Sequence, residues 1–290
     1  MKMICGLFGK TRQAHYKSNW TEDKLVRKHA IIIKTVEEIR VSMPRIGTRK
    51  LKFLLDDKLR GHALEIGRDQ LFALLSGYGL LIGKRRKRKA ITTVIPIIHS
   101  RSILILMKDL LIIYPNQLWV SNITYIALTN SYCYLSVSTD AYSRNIVGFQ
   151  LYATLEKEGP LNALKMALNT YKQERKGSLI HHSDRGLPYC CRDYTTRLML
   201  HRISISMTEQ GDPYERAIAE RVNGILKSAF LLNRTFKNFD EADEAVKTAI
   251  ATYNDQRPHG SCDYLTPEQA HQKEGVVQKR WKPQNEQILE

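Results

Sequence analysis

The texture of the chain changes near residue 115, and that change constrains the fold more than any other feature. Beyond it lie three short runs rich in β-branched and aromatic residues, Leu118 to Ile126, Tyr132 to Asp140 and Asn145 to Leu151. Turn residues separate them, so they read as sequential strands of an antiparallel meander. Pro160 to Tyr171 then sets Leu161, Leu164, Leu168 and Tyr171 on one helical face. Leu179 to His182 reads as a short buried strand, and Tyr194 to Leu200 as a helix that Asp193 can cap. Ile203 to Met207 is a last strand, followed by helices from Pro213 to Leu231 and from Asp240 to Tyr253. The expected class is α/β: a mixed five-stranded sheet with helices on both faces.

Upstream, from about 20 to 83, the spacing is helical throughout. Thr21 is placed to cap a helix from Glu22 to Arg40. Gly47 to Asp57 carries Leu51, Leu54 and Leu55, and Gly67 to Ser76 carries Leu71, Leu74 and Leu75, with Gly77 as a stop. Arg49, Lys50 and Lys52 lie on the first of these short helices and Arg68 starts the second. Two short helices and a turn suit a helix-turn-helix-like DNA-binding module, and equally a plain helical bundle with solvated charges. Lys84, Arg85, Arg86, Lys87, Arg88 and Lys89 follow. Six adjacent cations repel one another, so the run reads as a linker that grips phosphates. The expected organisation is a helical region over 1–83, a basic linker over 84–114, a catalytic core over 115–275 and a tail over 276–290.

Length and charge agree with this partition. At 290 residues about two domains are expected. Lys and Arg number 45 against 29 Asp and Glu, a net charge of +16. A polyanion is the natural partner, because neutralising its phosphates releases counterions. The five cysteines, Cys5, Cys133, Cys190, Cys191 and Cys262, are odd in number and form no C-x-x-C pair. This argues against a disulfide framework or structural zinc, and fits a reducing cytoplasm. Met1 to Gly9 is too short for a signal sequence. The most apolar window, Ile103 to Ile113, is broken by Lys108 and Asp109; a membrane span needs about 20 apolar residues.

Within the α/β region two carboxylates stand out. Asp184 follows the strand in Ile180-His181-His182-Ser183-Asp184-Arg185-Gly186, and Glu220 sits in the helix that opens at Pro213, with 35 residues between them. Asp212 can cap that helix, with Pro213 at the first turn and Glu215 closing a capping box. Ala217, Glu220, Gly224 and Lys227 then share a face. The small residues would let the helix approach the sheet, and Lys227 would meet a phosphate. Two oxygen-liganding carboxylates near the end of a sheet suit phosphoryl transfer assisted by Mg²⁺, where two ions activate the nucleophile and stabilise the in-line transition state. His181 and His182 are adjacent in a strand and point to opposite faces, so they read as packing or supporting groups and not as one ligand pair.

The order βββ-α-β-α-β-α matches a ribonuclease-H-like fold. Its key words are Pro115-Asn116-Gln117-Leu118-Trp119, Ser143-Arg144 before Ile146-Val147-Gly148, His181 to Gly186, Gly211-Asp212-Pro213-Tyr214-Glu215, Ala219-Glu220, and Tyr253-Asn254 before Arg257-Pro258-His259. On these words the chain resembles the retroviral-integrase-like DDE transposases of bacterial insertion sequences, in particular the second-frame product of a frameshifting family. The start, Gly6 to Lys10 and Arg12-Gln13-Ala14, is similar as well. The resemblance implies an acidic triad at Asn122, Asp184 and Glu220, with Asp184 and Glu220 as ligands of two Mg²⁺ (or Mn²⁺) ions. It implies double-stranded DNA as partner, the terminal inverted repeats and the target. It also implies a homo-oligomer assembled on DNA, and the upstream-frame product as a further partner. Among the matching words, Arg257 joins the basic residues above as a candidate DNA contact.

The departures carry equal weight. The family has Asp where this chain has Asn122, and an amide offers one neutral oxygen where a carboxylate offers two charged ones. Arg216 stands where the family usually has Asn, and the segment from Thr92 to Ile113 is more apolar than the family's linker. Asp140, at the end of the second strand, is a candidate substitute ligand, although the family already has Asp there in a supporting role. The expected function is an insertion-sequence transposase with catalysis impaired at Asn122. The rival is a non-enzymatic DNA-binding relic or repressor. A nuclease of RNA–DNA hybrids shares the fold but does not account for the helical module and basic run.

Overall fold

The computed structural model describes residues 11–83, 111–171, 179–207 and 213–276. The basic run from Lys84 to Lys89, most of the apolar linker, the cap at Asp212 and the side chain of Glu215 lie outside the described residues. The chain divides into two compact units, 1–86 and 87–290.

The first unit is all-helical, with α1 (Arg12–Ser42), α2 (Thr48–Arg60) and α3 (Arg68–Gly77). Its buried side chains are Ile32, Val36 and Ile39 of α1, Leu51, Leu55 and Leu59 of α2, and Leu71, Leu74 and Leu75 of α3. These follow the i, i+3, i+4 spacing that buries one stripe of each helix. Gly47 and Gly67 occupy the cap positions of α2 and α3 with extended backbone. The cap expected of Thr21 is not formed. Thr21 lies inside α1 and its hydroxyl donates to the Lys17 carbonyl at 2.7 Å. Nothing before it breaks the helix, so its hydroxyl bonds back by one turn instead.

The second unit holds β1 (Leu118–Ala127), β2 (Tyr132–Asp140), β3 (Ile146–Tyr152), α4 (Glu158–Thr170), β4 (Ile180–Ser183), α5 (Leu187–Cys190), α6 (Arg192–Leu200), β5 (Ser204–Met207), α7 (Pro213–Ala229), α8 (Phe239–Asp255) and α9 (Pro267–His271). The sheet runs β3-β2-β1-β4-β5. β1 pairs antiparallel with β2, as β2 does with β3, while β4 lies parallel to β1 and to β5. Short turns permit the first two pairings, and the helical crossovers permit the parallel ones. This is the mixed five-stranded ribonuclease-H-like sheet expected from the strand order.

Each face of the sheet has its own core. On one, Trp119 packs with Leu164, Leu168, Tyr194 and Leu198 of α4 and α6. On the other, Leu118, Val120 and Ile180 pack with Ala219 of α7. α4 lies very close to β3: a Cβ built on Gly148 would come 2.1 Å from the Ala163 carbonyl oxygen. Only glycine fits there.

Three local expectations need correction. Asp193 does not cap α6; Cys191 holds that position, and Asp193 instead pairs with Lys157 at 2.6 Å. α7 stops at Ala229, before Leu231, whose φ of 60° is incompatible with a continuing right-handed helix. Ala217 and Gly224 do not mediate the approach of α7 to the sheet. Ala217 is exposed, and a Cβ on Gly224 would meet nothing within 4 Å. The buried stripe is Ala219, Val222, Leu226 and Ala229, which the helical period selects just beside Glu220.

Candidate active site

Val120 is paired with His182 across the parallel β1–β4 ladder. Asn122 and Asp184 each lie two residues further on. Side chains alternate along a strand, so Leu118, Val120 and Asn122 project to one face, and Ile180 and His182 project to the same face; Asp184 lies one residue beyond the end of β4 at Ser183. Neighbouring strands stand about 4.8 Å apart, and the ladder between these two ends at Val120–His182. That face is the one α7 covers, since Ala219 packs on Leu118, Val120 and Ile180. Glu220 follows Ala219 and is exposed, while Asn122 and Asp184 are half-buried. Asn122 thus lies on the face that α7 covers, Asp184 in the turn just beyond β4, and Glu220 on α7 beside the packed Ala219.

The turn after β4 fixes Asp184. Its Oδ1 accepts a hydrogen bond from the Gly186 amide at 3.0 Å. A Cβ on Gly186 would lie 2.8 Å from that oxygen, so the carboxylate occupies the space a side chain there would need.

Asp140 belongs to a different network. Its register partner is Trp119, on the opposite face from Asn122, whose own partner is Val137. The carboxylate is fully buried and accepts from the amides of Asn116 and Ser143, each at 2.7 Å, and from the Ser143 hydroxyl. These bonds close the turn between β2 and β3 and hold the entry to β1.

The two histidines are separated by the pleat. His181 is fully buried, and its Nε2 meets the hydroxyls of Ser121 at 2.8 Å and Tyr194 at 2.9 Å. Ser121 also bonds Ser138 at 2.7 Å. Burial pushes the His181 imidazole down to about 3, with His182 beside it adding to the shift. His182 faces the other way, its Nδ1 lying 3.0 Å from Ser206 Oγ.

Of the candidate DNA contacts, Arg49 and Arg68 are exposed and Lys50 is half-buried. Arg68 pairs with its neighbour Asp69 at 2.8 Å. Lys227 stacks over the Tyr125 ring at 4.0 Å from its centroid. Arg257 cannot serve as a surface contact. It is 7% exposed, bonds His259 Nε2 at 3.0 Å, and burial lowers its guanidinium to about 10. It belongs to a packed cluster with Tyr253 and His259.

Among the described residues, no three His, Cys, Asp or Glu side chains converge as a metal-holding group. The set of Asn122, Asp184 and Glu220 offers oxygen donors, the kind Mg²⁺ prefers. With two carboxylates and one amide it carries one negative charge fewer than three carboxylates would supply. Sequence reasoning missed the Ser121–Ser138–His181–Tyr194 network and the close fit at Gly186. Parity of Ser121 and Ser138 on opposed strands was the only available signal for the first, and nothing in the sequence signalled the second.

The integrase core domain family matches residues 114–213, and a second integrase core domain family matches 201–267. The chain is 31% identical over 272 residues to an insertion element IS600 uncharacterized 31 kDa protein of Shigella sonnei, covering 91% of this chain and 96% of that one. It is 32% identical over 169 residues to transposase InsF for insertion sequence IS3A of Escherichia coli K12, covering 55% of each. Among solved structures it is similar to the HTLV-2 integrase catalytic core domain in complex with magnesium, with 20% identity and a TM-score of 0.44, over 55% of this chain and 97% of that one. The chain belongs to the DDE transposases of bacterial insertion sequences, polynucleotidyl transferases built on an integrase core. No helix among the described residues is long and apolar enough to cross a membrane.

Proposed function

We propose that this transposase binds the ends of its insertion sequence and carries its cleavage and strand-transfer site at Asn122, Asp184 and Glu220, with catalysis impaired by the amide at Asn122. The observation that supports this reading is the pairing of β1 with β4: Asn122 and Asp184 each follow the Val120–His182 pair by two residues, and α7, which carries Glu220, packs on that face of the sheet through Ala219. In this reading Asp184 and Glu220 hold the divalent cation, Mg²⁺ or Mn²⁺. When bound, such ions activate the attacking oxygen and offset charge on the phosphate. Gly186 holds Asp184 in its ligating orientation. Asn122 would supply one neutral oxygen to such an ion where a carboxylate would supply charge, so the site would have less charge to offset that of the phosphate.

The rest of the chain serves DNA. Residues 1–83 act as a helix-turn-helix-like reader of the inverted repeats, with Arg49, Lys50 and Arg68 toward the duplex. Lys84 to Lys89 grip phosphates, and Lys227 meets the DNA beside the site. Assembly is as a homo-oligomer on DNA in the bacterial cytoplasm, with the upstream-frame product as a further partner. The second reading, a DNA-binding relic or repressor, rests on the same Asn122 and differs only in residual activity. Strand transfer by the purified chain, with Mg²⁺ and a labelled repeat end, separates the two. Weak activity abolished by Asp184→Asn supports an impaired transposase, and repeat binding with no activity supports the repressor. Absence of repeat binding contradicts both.

A further inference from the structure

A row of tyrosines crosses one face of the sheet. Tyr125 of β1 is paired across from Tyr134 of β2, and Tyr134 across from Tyr152 of β3. Residues directly opposed in a sheet project to the same face, so three rings line up over three strands. Tyr132 joins them, its ring edge-on to Tyr125 with centroids 5.6 Å apart. Helix cover stops short of the row. Gly159, in the first turn of α4, lies over Ser136 and the root of Tyr152, where a Cβ would be 3.3 Å from Ser136 Oγ and 3.2 Å from Tyr152 Cβ. Beyond that point Tyr125 is 48% and Tyr132 58% exposed, and Tyr134 and Tyr152 are half-buried. Lys227 brings a cation over Tyr125 at 4.0 Å. β4 pairs with β1 only over Leu118 to Val120, so the long Lys227 side chain reaches Tyr125 past the end of β4, from the side of α7.

Cross-strand aromatic pairs can stabilise a sheet. That role alone does not require two rings half in water with an ammonium beside them. The combination is the one that single strands use: aromatic faces for bases and a cation for the backbone. A duplex keeps its bases stacked inside and cannot offer their faces. The row lies on the α4 face, opposite the face of Asn122, and Lys227, seven residues after Glu220 on α7 and so about 10 Å along the helix, links the two, so a strand would pass round β1 beyond the end of β4 to run from one to the other. The excess charge of +16 matches the same polyanion.

We propose that Tyr125, Tyr132, Tyr134 and Tyr152 form a stacking platform for unpaired nucleotides of the DNA strand entering the site, with Lys227 as its phosphate contact. This rests on the reading of the chain as a DNA-processing transposase.

The test uses the full chain without added metal. Fluorescence anisotropy measures binding of labelled oligothymidylate and of a hairpin duplex at fixed salt. Tyr125→Ala and Tyr132→Ala should each weaken oligothymidylate binding by about tenfold, the scale of removing one base–aromatic stack, and leave duplex affinity unchanged. Tyr125→Phe should bind as the parent does. On the unmodified chain, oligonucleotides carrying 5-iodouracil should cross-link to these tyrosines, which decides the matter even if an alanine variant misfolds. Unchanged oligothymidylate affinity in folded alanine variants, or cross-links elsewhere, overturns the platform. So does a change in the mass of the free protein by light scattering with single-strand affinity intact, because the face is then covered by a second copy. Retained duplex binding in those cases spares the transposase reading, whereas a parent chain that binds neither DNA contradicts that reading itself.

Discussion

Val120 of β1 is paired with His182 of β4 across a parallel ladder, and Asn122 and Asp184 each lie two residues further along their chains. The pleat turns Asn122 toward the face covered by α7, and Glu220 follows the residue by which α7 packs there. A parallel ladder and the phase of α7 thus relate segments that are far apart in sequence.

The turn after β4 yields the first prediction. A Cβ on Gly186 would lie 2.8 Å from Asp184 Oδ1. Gly186→Ala should displace that carboxylate with little change in thermal stability. In an Asn122→Asp background it should reduce strand transfer at least about tenfold, as expected when a catalytic group is misplaced by a fraction of an ångström to an ångström. Activity equal to the parent would show that the carboxylate's position there is not used.

Packing of α4 on β3 yields the second. Gly148→Ala drives a methyl against the Ala163 carbonyl. Overpacking of a close-fitted core costs about 1–3 kcal/mol, occasionally more. Urea denaturation should show a loss at or above that range, and a stable Gly148→Ala variant would refute the close approach.

His181 yields a pH dependence. Its folded-state value of about 3 lies below the ordinary 6.5, so the unfolded chain binds the proton more readily. The neutral imidazole therefore contributes stability that is fully present above about 6.5 and is lost as pH falls toward 3, at up to about 1.4 kcal/mol per pH unit. Chemical denaturation across that window should show the slope, and His181→Gln should flatten it. The same slope in both proteins would assign acid sensitivity to other groups.

Much of this architecture is legible in the sequence, for identifiable reasons. The strands β1 to β3 agree with their sequence patterns within a residue, because β-branched runs alternate and turn residues punctuate them. Asp184 and Glu220 stand out because strand and helix patterns frame them closely. The phase of α7 is harder to read, because small residues suggest close approach while burial in fact follows Ala219, Val222 and Leu226. Arg257 has the look of a surface cation, since a linear pattern does not show that Tyr253 and His259 enclose it. Thr21 has the right residue type for a cap, but nothing in its neighbourhood reveals that the helix has already begun.

The basic run yields a binding prediction. If Lys84 to Lys89 contact phosphates, replacing all six with Ala should weaken DNA binding for every sequence. The log–log salt dependence should flatten by about 0.9 for each phosphate no longer neutralised. An unchanged slope would make the run a solvated linker.

The central claim is that one amide limits this transposase, and strand transfer by the Asn122→Asp variant tests it most directly. A clamp worth several kcal/mol, at about 1.36 kcal/mol per tenfold, predicts a gain of roughly several hundredfold over the parent, abolished again by Asp184→Asn or Glu220→Gln. Full activity in the parent chain, abolished by Asp140→Asn while the fold persists, would contradict the account, because the first catalytic position would then lie at Asp140 on the opposite face of the sheet.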